Sequence, residues 1–516
     1  MFKYIKDLLT NEKKESYSPP IANSFAGEKF SENLEDTTVR IRQLCNNTAD
    51  LIIQRMEISS IKVAFVMCEG MFDLDTTSKL IITPLSNKKF EKGNFQELFE
   101  YVNTKTMLAT DQKVFFTMGE LFNFIMSGFV VMLIDGKNCG IAMGIQGFTT
   151  RSISEPTSEM NIRGSQEGFI EALRINMTMV RRRLKSPNLC FELMSVGINS
   201  QTAICLVYRT DLVSRKLLND IKYRLKQIKL DNILESGYIQ PFLERKPFSI
   251  FSGIGSTERP DTLCAKVCEG RVGILVDGTP FALTIPHLFV EHFQSFDDYT
   301  TAPFFATIIR WIKYISFFIS TLLPGMYVAI ATFHPELFPT ALLYNVAASE
   351  KSTPFPLVLE ALIIHLFYEI MREAGLRLPR AVGHAVSIIG ALIIGDAAVT
   401  AGLIGAPMVM VVALTAISSF VIPSLYESIS FLRFCFIFAG GAFGLYGISL
   451  MLCVVFINLC AINDYGIPST SPASPMFLYS FRDIIMRSSW VNLGKADMNI
   501  KDLPGSELQD EGDDEQ

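Results

Sequence analysis

Asp396 is the residue in this sequence whose setting most calls for chemistry, an acid inside a long apolar, glycine-rich run. Laid out as a helix at about 100° per residue, Val382 to Gly402 sorts into two faces. Ala391, Gly395, Ala398 and Gly402 make a small-residue face, below His384 and Ile388, suited to close helix packing. The opposite side carries Val386, Ile389, Ile393, Asp396 and Thr400. In an oligomer this second side is expected to line a pore. Rings of Ile389 and Ile393 would gate it by dewetting, and a ring of Asp396 would concentrate cations. Plainer readings stand beside it: Asp396 pairs with an arginine or caps a neighbouring helix, and the isoleucines face lipid.

A second set is His365, Glu369 and Glu373, which share one helical face, with Glu360 pointing away from it. These residues suit a vestibule lining or a proton-sensitive switch through His365. The reading favoured on general grounds is a polar face at the membrane surface or at a subunit contact. A third set is basic: Arg163, Arg181, Arg182 and Arg183. Anion binding would use such a cluster. However, Glu155, Glu159, Glu167, Glu258 and Asp261 offer partners, and no phosphate-cradling loop accompanies the arginines. Arg163, Arg181, Arg182, Arg183, Glu258, Arg259 and Asp261 are therefore expected in salt bridges within or between subunits.

Catalysis finds no foothold, and no enzyme activity and no cofactor are expected. There is no Gly-x-x-x-x-Gly-Lys-Ser/Thr, no His-Glu-x-x-His and no Gly-x-Ser-x-Gly. Of the five histidines, His287 and His292 lie five apart around Glu291, a poor metal spacing, and read as residues near the first membrane segment. Cys264 and Cys268 lack the second pair or the histidines that a zinc site needs, so no metal is expected and the ten cysteines read as reduced thiols. The net charge of −6 resides in the run 506–516, which has six acids and no base. No basic excess points to nucleic acid.

The elements that must position these residues divide near residue 300. Residues 1–35 read as a flexible polar tether. Residues 36–300 alternate apolar strands with amphipathic helices and are expected to form a cytosolic α/β domain, in two subdomains split near 150–190. Strands are expected at 61–67, 129–134, 203–208 and 272–276, with Asp135-Gly136 and Asp277-Gly278 as matching turns. Helices are expected over 167–184 and 214–228. Residues 301–462 carry five apolar stretches: 308–333, 355–371, 381–404, 408–422 and 431–461. Arg310 and Lys313 are placed to snorkel, Pro324-Gly325 to kink the first stretch, and Phe431 to Ala461 is long enough to span alone. Arg372, Arg377 and Arg380, and then Arg482, Arg487 and Lys495, argue for cytosolic loops. Four crossings plus one re-entrant or in-plane segment at 408–422 satisfy that count. The cytosolic segment 463–516 follows, with the acidic tail.

Several strings occur in one order along the chain. Glu155-Pro156-Thr157 leads to Ile162-Arg163-Gly164 and the Asn176 to Arg183 helix. Thr257-Glu258-Arg259-Pro260-Asp261, Glu269-Gly270-Arg271-Val272 and Val276-Asp277-Gly278-Thr279-Pro280-Phe281 follow. The segments 372–380 and 389–398 continue the pattern. From about 36 to 490 the chain resembles the A subunits of GerA-family spore germination receptors. The resemblance implies a multi-pass protein of the endospore inner membrane, with its N-terminal domain cytosolic. It also implies a transporter-like B subunit, a lipoprotein C subunit, and homo-oligomerisation into a nutrient-gated ion channel. The rival readings are a non-conducting scaffold and, last, a secondary transporter, against which the lack of a second broken helical region speaks.

Overall fold

The apolar strands of the first half build two antiparallel sheets with the same plan. The structure, a computed structural model, describes residues 25–509 except 26, 89, 91–94, 106–111, 148–155, 157–158, 160, 162, 247–248, 380–395, 476–482 and 495–498. The first sheet comprises β1 (Leu51–Ile58), β2 (Ile61–Cys68), β3 (Gln112–Phe115), β4 (Val130–Ile134) and β5 (Gly140–Met143), in the order β1-β2-β4-β5-β3. The second comprises β6 (Leu189–Val196), β7 (Thr202–Arg209), β8 (Gly255–Thr257), β9 (Val272–Val276) and β10 (Ala282–Ile285), in the order β6-β7-β9-β10-β8. Each unit opens with a helix, α1 (Leu34–Leu44) or α3 (Leu173–Arg183). Each places another before its central strand, α2 (Met118–Ile125) or α5 (Pro260–Cys268). Between its second and third strands the first unit inserts helical segments within 74–87 and at Phe95–Lys105, and the second unit inserts α4 (Arg215–Lys226).

The duplication extends to single hydrogen bonds. Asp135 Oδ1 accepts from Leu34 N–H at 3.0 Å, capping α1, and Gly136 N–H donates to the Glu32 carbonyl at 2.9 Å. In the second unit Asp277 Oδ1 accepts from Leu173 N–H at 3.1 Å, and Gly278 N–H donates to the Glu171 carbonyl at 2.8 Å. Both glycines have positive φ, +75° and +89°, which few other residues adopt. The cap also explains why the helix expected from 167 begins at Leu173: the chain reaches Asp277 there, and residues 165–172 run non-helically toward it.

Arg181 joins the two units. Its guanidinium donates to both Asp50 carboxylate oxygens, at 2.6 and 3.0 Å, and to the carbonyls of Ser186 and Leu189. The Ala49 N–H reaches the Phe191 carbonyl beside it, at 2.9 Å.

After residue 300 the structure is helical: α6 (Pro303–Phe333), α7 (Thr340–Ser352), α8 (Leu357–Arg377), α9 (Ala406–Phe420) and α10 (Tyr426–Ala461). By length and composition α6 and the stretch Pro423–Cys460 can cross a membrane, and α7 and α8 meet at 80°. The stretch 431–461, read from sequence as one span, is broken at Gly444, whose φ of +61° and ψ of −146° are not helical. Ser428 Oγ donates to the Ile250 carbonyl at 2.6 Å, and Asn458 Oδ1 accepts from Ile250 N–H at 3.3 Å. A straight helix would hold these two residues about 45 Å apart. The arms 426–443 and 445–461 therefore run antiparallel, each rising about 26 Å against a hydrocarbon layer of about 30 Å. Phe333 packs at Gly444, on the side far from the sheets, and Ile250 binds both arm ends on the near side. α8 returns from far to near, because Val358 packs on Gly441 while Glu369 bonds Tyr426. α9 does likewise, from Gly405 beside Glu360 to Ile422 in the near-side core.

Replacing Arg181 with Leu leaves the Asp50 charge buried without its partner. We expect a loss of about 3–5 kcal/mol, largely recovered in Arg181→Leu/Asp50→Leu, in thermal unfolding of the detergent-solubilised chain.

Candidate functional site

Arg433 is enclosed within the bundle, and its position follows from a proline. Pro324 has no N–H, so the Ser320 carbonyl one turn earlier in α6 lacks its helical donor. Arg433 Nε fills that vacancy at 3.1 Å. Gly325, next to the proline, lets α10 approach: an added Cβ would meet the Phe436 carbonyl, and one on Gly440 would meet the Gly325 oxygen. The Pro324-Gly325 pair thus supplies an acceptor and the room to reach it, and α6 runs through it as one helix.

Arg433 is fully buried and needs a counter-charge, which α8 provides. Arg433 Nη1 lies 3.3 Å from Glu369 Oε1. The same carboxylate accepts from Tyr426 Oη at 2.7 Å and Ser430 Oγ at 2.6 Å, and Arg372 Nε lies 3.4 Å away. The Arg372 guanidinium stacks on the Tyr426 ring at 3.6 Å. Glu369 therefore faces the bundle interior. His365, one turn before it, is fully buried, with neither ring nitrogen hydrogen-bonded to a described residue, and Glu373 is exposed and bonds Arg377 at 2.7 Å. Glu360, on the other side of α8, is buried and accepts from Gly405 N–H at 2.6 Å, at the positive end of α9. The sequence reading passed over Arg433. A lone arginine within an apolar run is itself the signal, since such a charge must find an acid.

Of the residues placed on the second face of 382–402, Val386, Ile389 and Ile393 lie outside the described residues, as do Ala391 and Gly395. Asp396 and Thr400 are described, exposed, and one turn apart at the helical turn preceding α9. Asp396 has no ion pair among the described residues. Ala398 packs against the α8–α9 core, and Gly402 takes φ +66° over the Ser352 carbonyl.

In the sheet units, Arg181, Arg182, Arg183 and Arg259 resolve into pairs inside the chain. Arg182 and Arg183 share Glu167, both at 2.5 Å. Arg259 binds Asp261 at 2.6 Å and the Ser165 carbonyl at 2.8 Å. Arg181, Glu258 and Arg259 are buried, and Arg163 is exposed. Glu155 lies outside the described residues. Cys264 is a free thiol pushed up to about 12 by burial. Among the described residues no group of three His, Cys, Asp or Glu is placed to hold a metal ion.

Where the second unit meets α6, two further networks form. Arg310 does not snorkel to the surface. It is fully buried against Asp298 at 3.0 Å and Asp483 at 3.1 Å, and Lys313 adds a second bond to Asp298 at 3.4 Å. Asp483 comes from the C-terminal segment, beyond the reach of local pattern reading. Nearby, Glu291 bonds Arg271 at 2.5 Å and Lys266 at 2.7 Å. Burial works against that carboxylate, but the two cations win and hold it well below the usual range. The His287 and His292 rings meet edge to face at 4.6 Å. Both His292 nitrogens are buried without a hydrogen bond among the described residues, and burial pushes the imidazole down to about 4.

Comparison with known proteins gives one family. The sequence model described as "Bacillus/Clostridium GerA spore germination protein" matches residues 39–498. The chain is similar to spore germination protein KA of Bacillus subtilis (strain 168), 39% identical over 468 residues, 89% of this chain and 85% of that one. It is 37% identical over 465 residues to the membrane protein YfkQ of the same organism, covering 89% and 90%. The crystal structure of the N-terminal domain of the A subunit of the Bacillus megaterium spore germinant receptor GerK3 aligns with a TM-score of 0.40 at 28% identity. It covers 51% of this chain and 98% of that one.

Two outcomes are expected. Arg433→Leu takes one of two arginines from the half-buried Glu369 and the donor from the Ser320 carbonyl, and lowers the unfolding temperature in detergent by the equivalent of about 1–3 kcal/mol, whereas Glu369→Leu strands the fully buried Arg433 charge and costs about 3–5 kcal/mol. Stability also falls as pH drops from about 6.5 toward 4, because unfolded His292 binds a proton there and native His292 does not. His292 contributes roughly 2–3 kcal/mol of this, and His287, which burial also holds well below its ordinary value, adds to the same loss. The depressed Glu291 adds its own loss only below about 4.5. Unfolding profiles of wild type and His292→Phe should differ in that window, with the variant flatter.

Proposed function

The chain belongs to the GerA family of spore germination proteins, and from that premise we propose that it is the A subunit of a nutrient germinant receptor whose copies form a ring around a gated ion path. In this reading the sheet units occupy the spore-core cytosol and the helices cross the inner membrane. A transporter-like B subunit binds the nutrient, a lipoprotein C subunit completes the receptor, and neither cofactor nor enzyme activity is involved.

The observation that carries the reading is the exposure of Asp396 and Thr400 on one side of a helical turn, at the far end of an apolar bundle. A carboxylate so placed on a membrane helix calls for water or another chain. A water-filled axis between copies supplies both, with Val386, Ile389, Ile393, Asp396 and Thr400 toward the axis and Ala391, Gly395, Ala398 and Gly402 toward the neighbouring helix. A second reading, a non-conducting scaffold coupling the B subunit to other channels, draws support from the way Glu369 and Arg433 neutralise each other inside the chain.

Ion flux through the protein and its partner subunits in liposomes tests this. Ile393→Ser is expected to leak without nutrient, and Asp396→Asn to change cation preference. Unchanged flux from both variants, with assembly intact, favours the scaffold.

A further inference from the structure

The C-terminal segment leaves the bundle at Ala461, returns to the second sheet unit, and touches α6 on the way. Tyr465, Ile467, Ile484, Ile500 and Leu508 enter that unit's core. Between them the chain lies along the first turns of α6. Tyr314 Oη donates to the Ile484 carbonyl at 3.3 Å, Trp311 Nε1 to the Ile485 carbonyl at 3.0 Å, and Arg487 N–H to Thr307 Oγ1 at 3.1 Å. Further along, Trp490 Nε1 donates to the Tyr299 carbonyl at 2.9 Å. The segment thus climbs α6 backwards, from Tyr314 toward its N-terminus.

That stretch of α6 lies at the edge of the membrane. Thirty-one residues of helix rise about 46 Å, against about 30 Å of hydrocarbon. With Phe333 at the far boundary, about ten residues at the near end fall in the headgroup layer. The buried polar contacts of Arg310 and Lys313 lie in that stretch. The outward face of α6 is apolar without interruption: Phe304, Ile308, Trp311, Ile315 and Phe318 are all exposed. Beside it the C-terminal segment turns Met486, Trp490 and Val491 outward, 56%, 61% and 75% exposed. The chain has only two tryptophans, and both stand in this patch with their N–H groups bonded to carbonyls and ring surface left uncovered. Tryptophan at the boundary between headgroups and acyl chains has this character, one end apolar and one end wet.

We propose that residues 485–493 are an interfacial membrane anchor, with Met486, Trp490 and Val491 lying in the boundary layer of the near leaflet beside Trp311. The occupant is lipid, because the patch continues the lipid-facing stripe of α6 at the depth where that stripe leaves the hydrocarbon. The anchor holds Asp483 where it meets Arg310, so the lipid surface, the second sheet unit and the first membrane helix are tied at one point.

The two tryptophans are their own probes. Full-length protein is reconstituted in phosphatidylcholine–phosphatidylglycerol vesicles containing phospholipid brominated either near the carbonyl or near the chain end. Trp311→Phe reports Trp490 alone, and wild type minus Trp490→Phe reports it again should the first variant fold poorly. Emission of Trp490 is expected at shorter wavelength than free tryptophan, and to be lost to the shallow bromine more than to the deep one or to aqueous iodide. Quenching by iodide as in free tryptophan places the patch in water and overturns the proposal. Quenching by neither lipid nor iodide means that another protein surface, such as a second copy, covers it, and overturns it equally.

Discussion

An arginine cannot shed its charge when it is buried, so each one inside a protein dictates what must come to meet it. Among the described residues four arginines are 2% exposed or less, and each stands at a joint. Arg181 draws in Asp50 and closes the first sheet unit on the second. Arg259 gathers the Ser165 and Glu159 carbonyls, so that the connector between units lies on the second. Arg310 brings Asp298 and Asp483 together at the foot of the first membrane helix. Arg433 ties the α10 hairpin to α6 and α8. Such pairs contribute little net stability against apolar replacements. What they exclude is any other docking of the parts, since a slipped joint would strand a charge.

The duplication of the sheet units was legible because it rests on local chemistry. A strand ending in Asp-Gly leaves a turn with a free carboxylate, and the helix start that needs an acceptor lies one layer away. The sequence repeats that turn at Asp135-Gly136 and Asp277-Gly278, after strands of the same apolar pattern. The helix boundaries were less visible. Residues 167–172 continue the period of α3, but the cap at Leu173 comes from a residue 104 positions later.

In the membrane half, apolar length was legible and its folding was not. A run of apolar residues from 431 to 461 satisfies the rule for a span whether or not it doubles back, and one glycine with positive φ decides the matter. Similarly, Pro324-Gly325 reads as a kink. Its consequence here is a bare carbonyl that needs a donor, and that donor lies over a hundred residues away. His365, Glu369 and Glu373 share a helical face, as their spacing indicates. Only the surroundings divide them, with Glu369 turned to an arginine and Glu373 to solvent. Asp396 stands out in the sequence as an acid in an apolar run, and in the structure it is exposed at a helical turn.

A receptor must carry a change from its sheet units to its helices, and the joints limit how. Ile250 grips both arms of α10 through Ser428 and Asn458, so a shift of the second unit moves the two arms together. Arg310 reaches that unit through Asp298 and the returning C-terminal segment through Asp483, so α6 follows from two sides. The α10 arms and α6 are in turn locked at Arg433, Ser320 and the Gly325–Gly440 crossing. These parts move as one body, because any relative motion breaks a buried charge pair or drives backbone into backbone. α9 is held differently. Its near end shares the apolar core with α10, its far end buries Ile404, Met408 and Val412 against α6, α8 and α10, and its polar tie to α8 is the Glu360 carboxylate beside the left-handed turn at Gly402. A single hydrogen bond to a backbone N–H is a weaker tie than a buried ion pair. Asp396 lies just beyond that tie, at a turn held by apolar packing rather than by a buried charge pair.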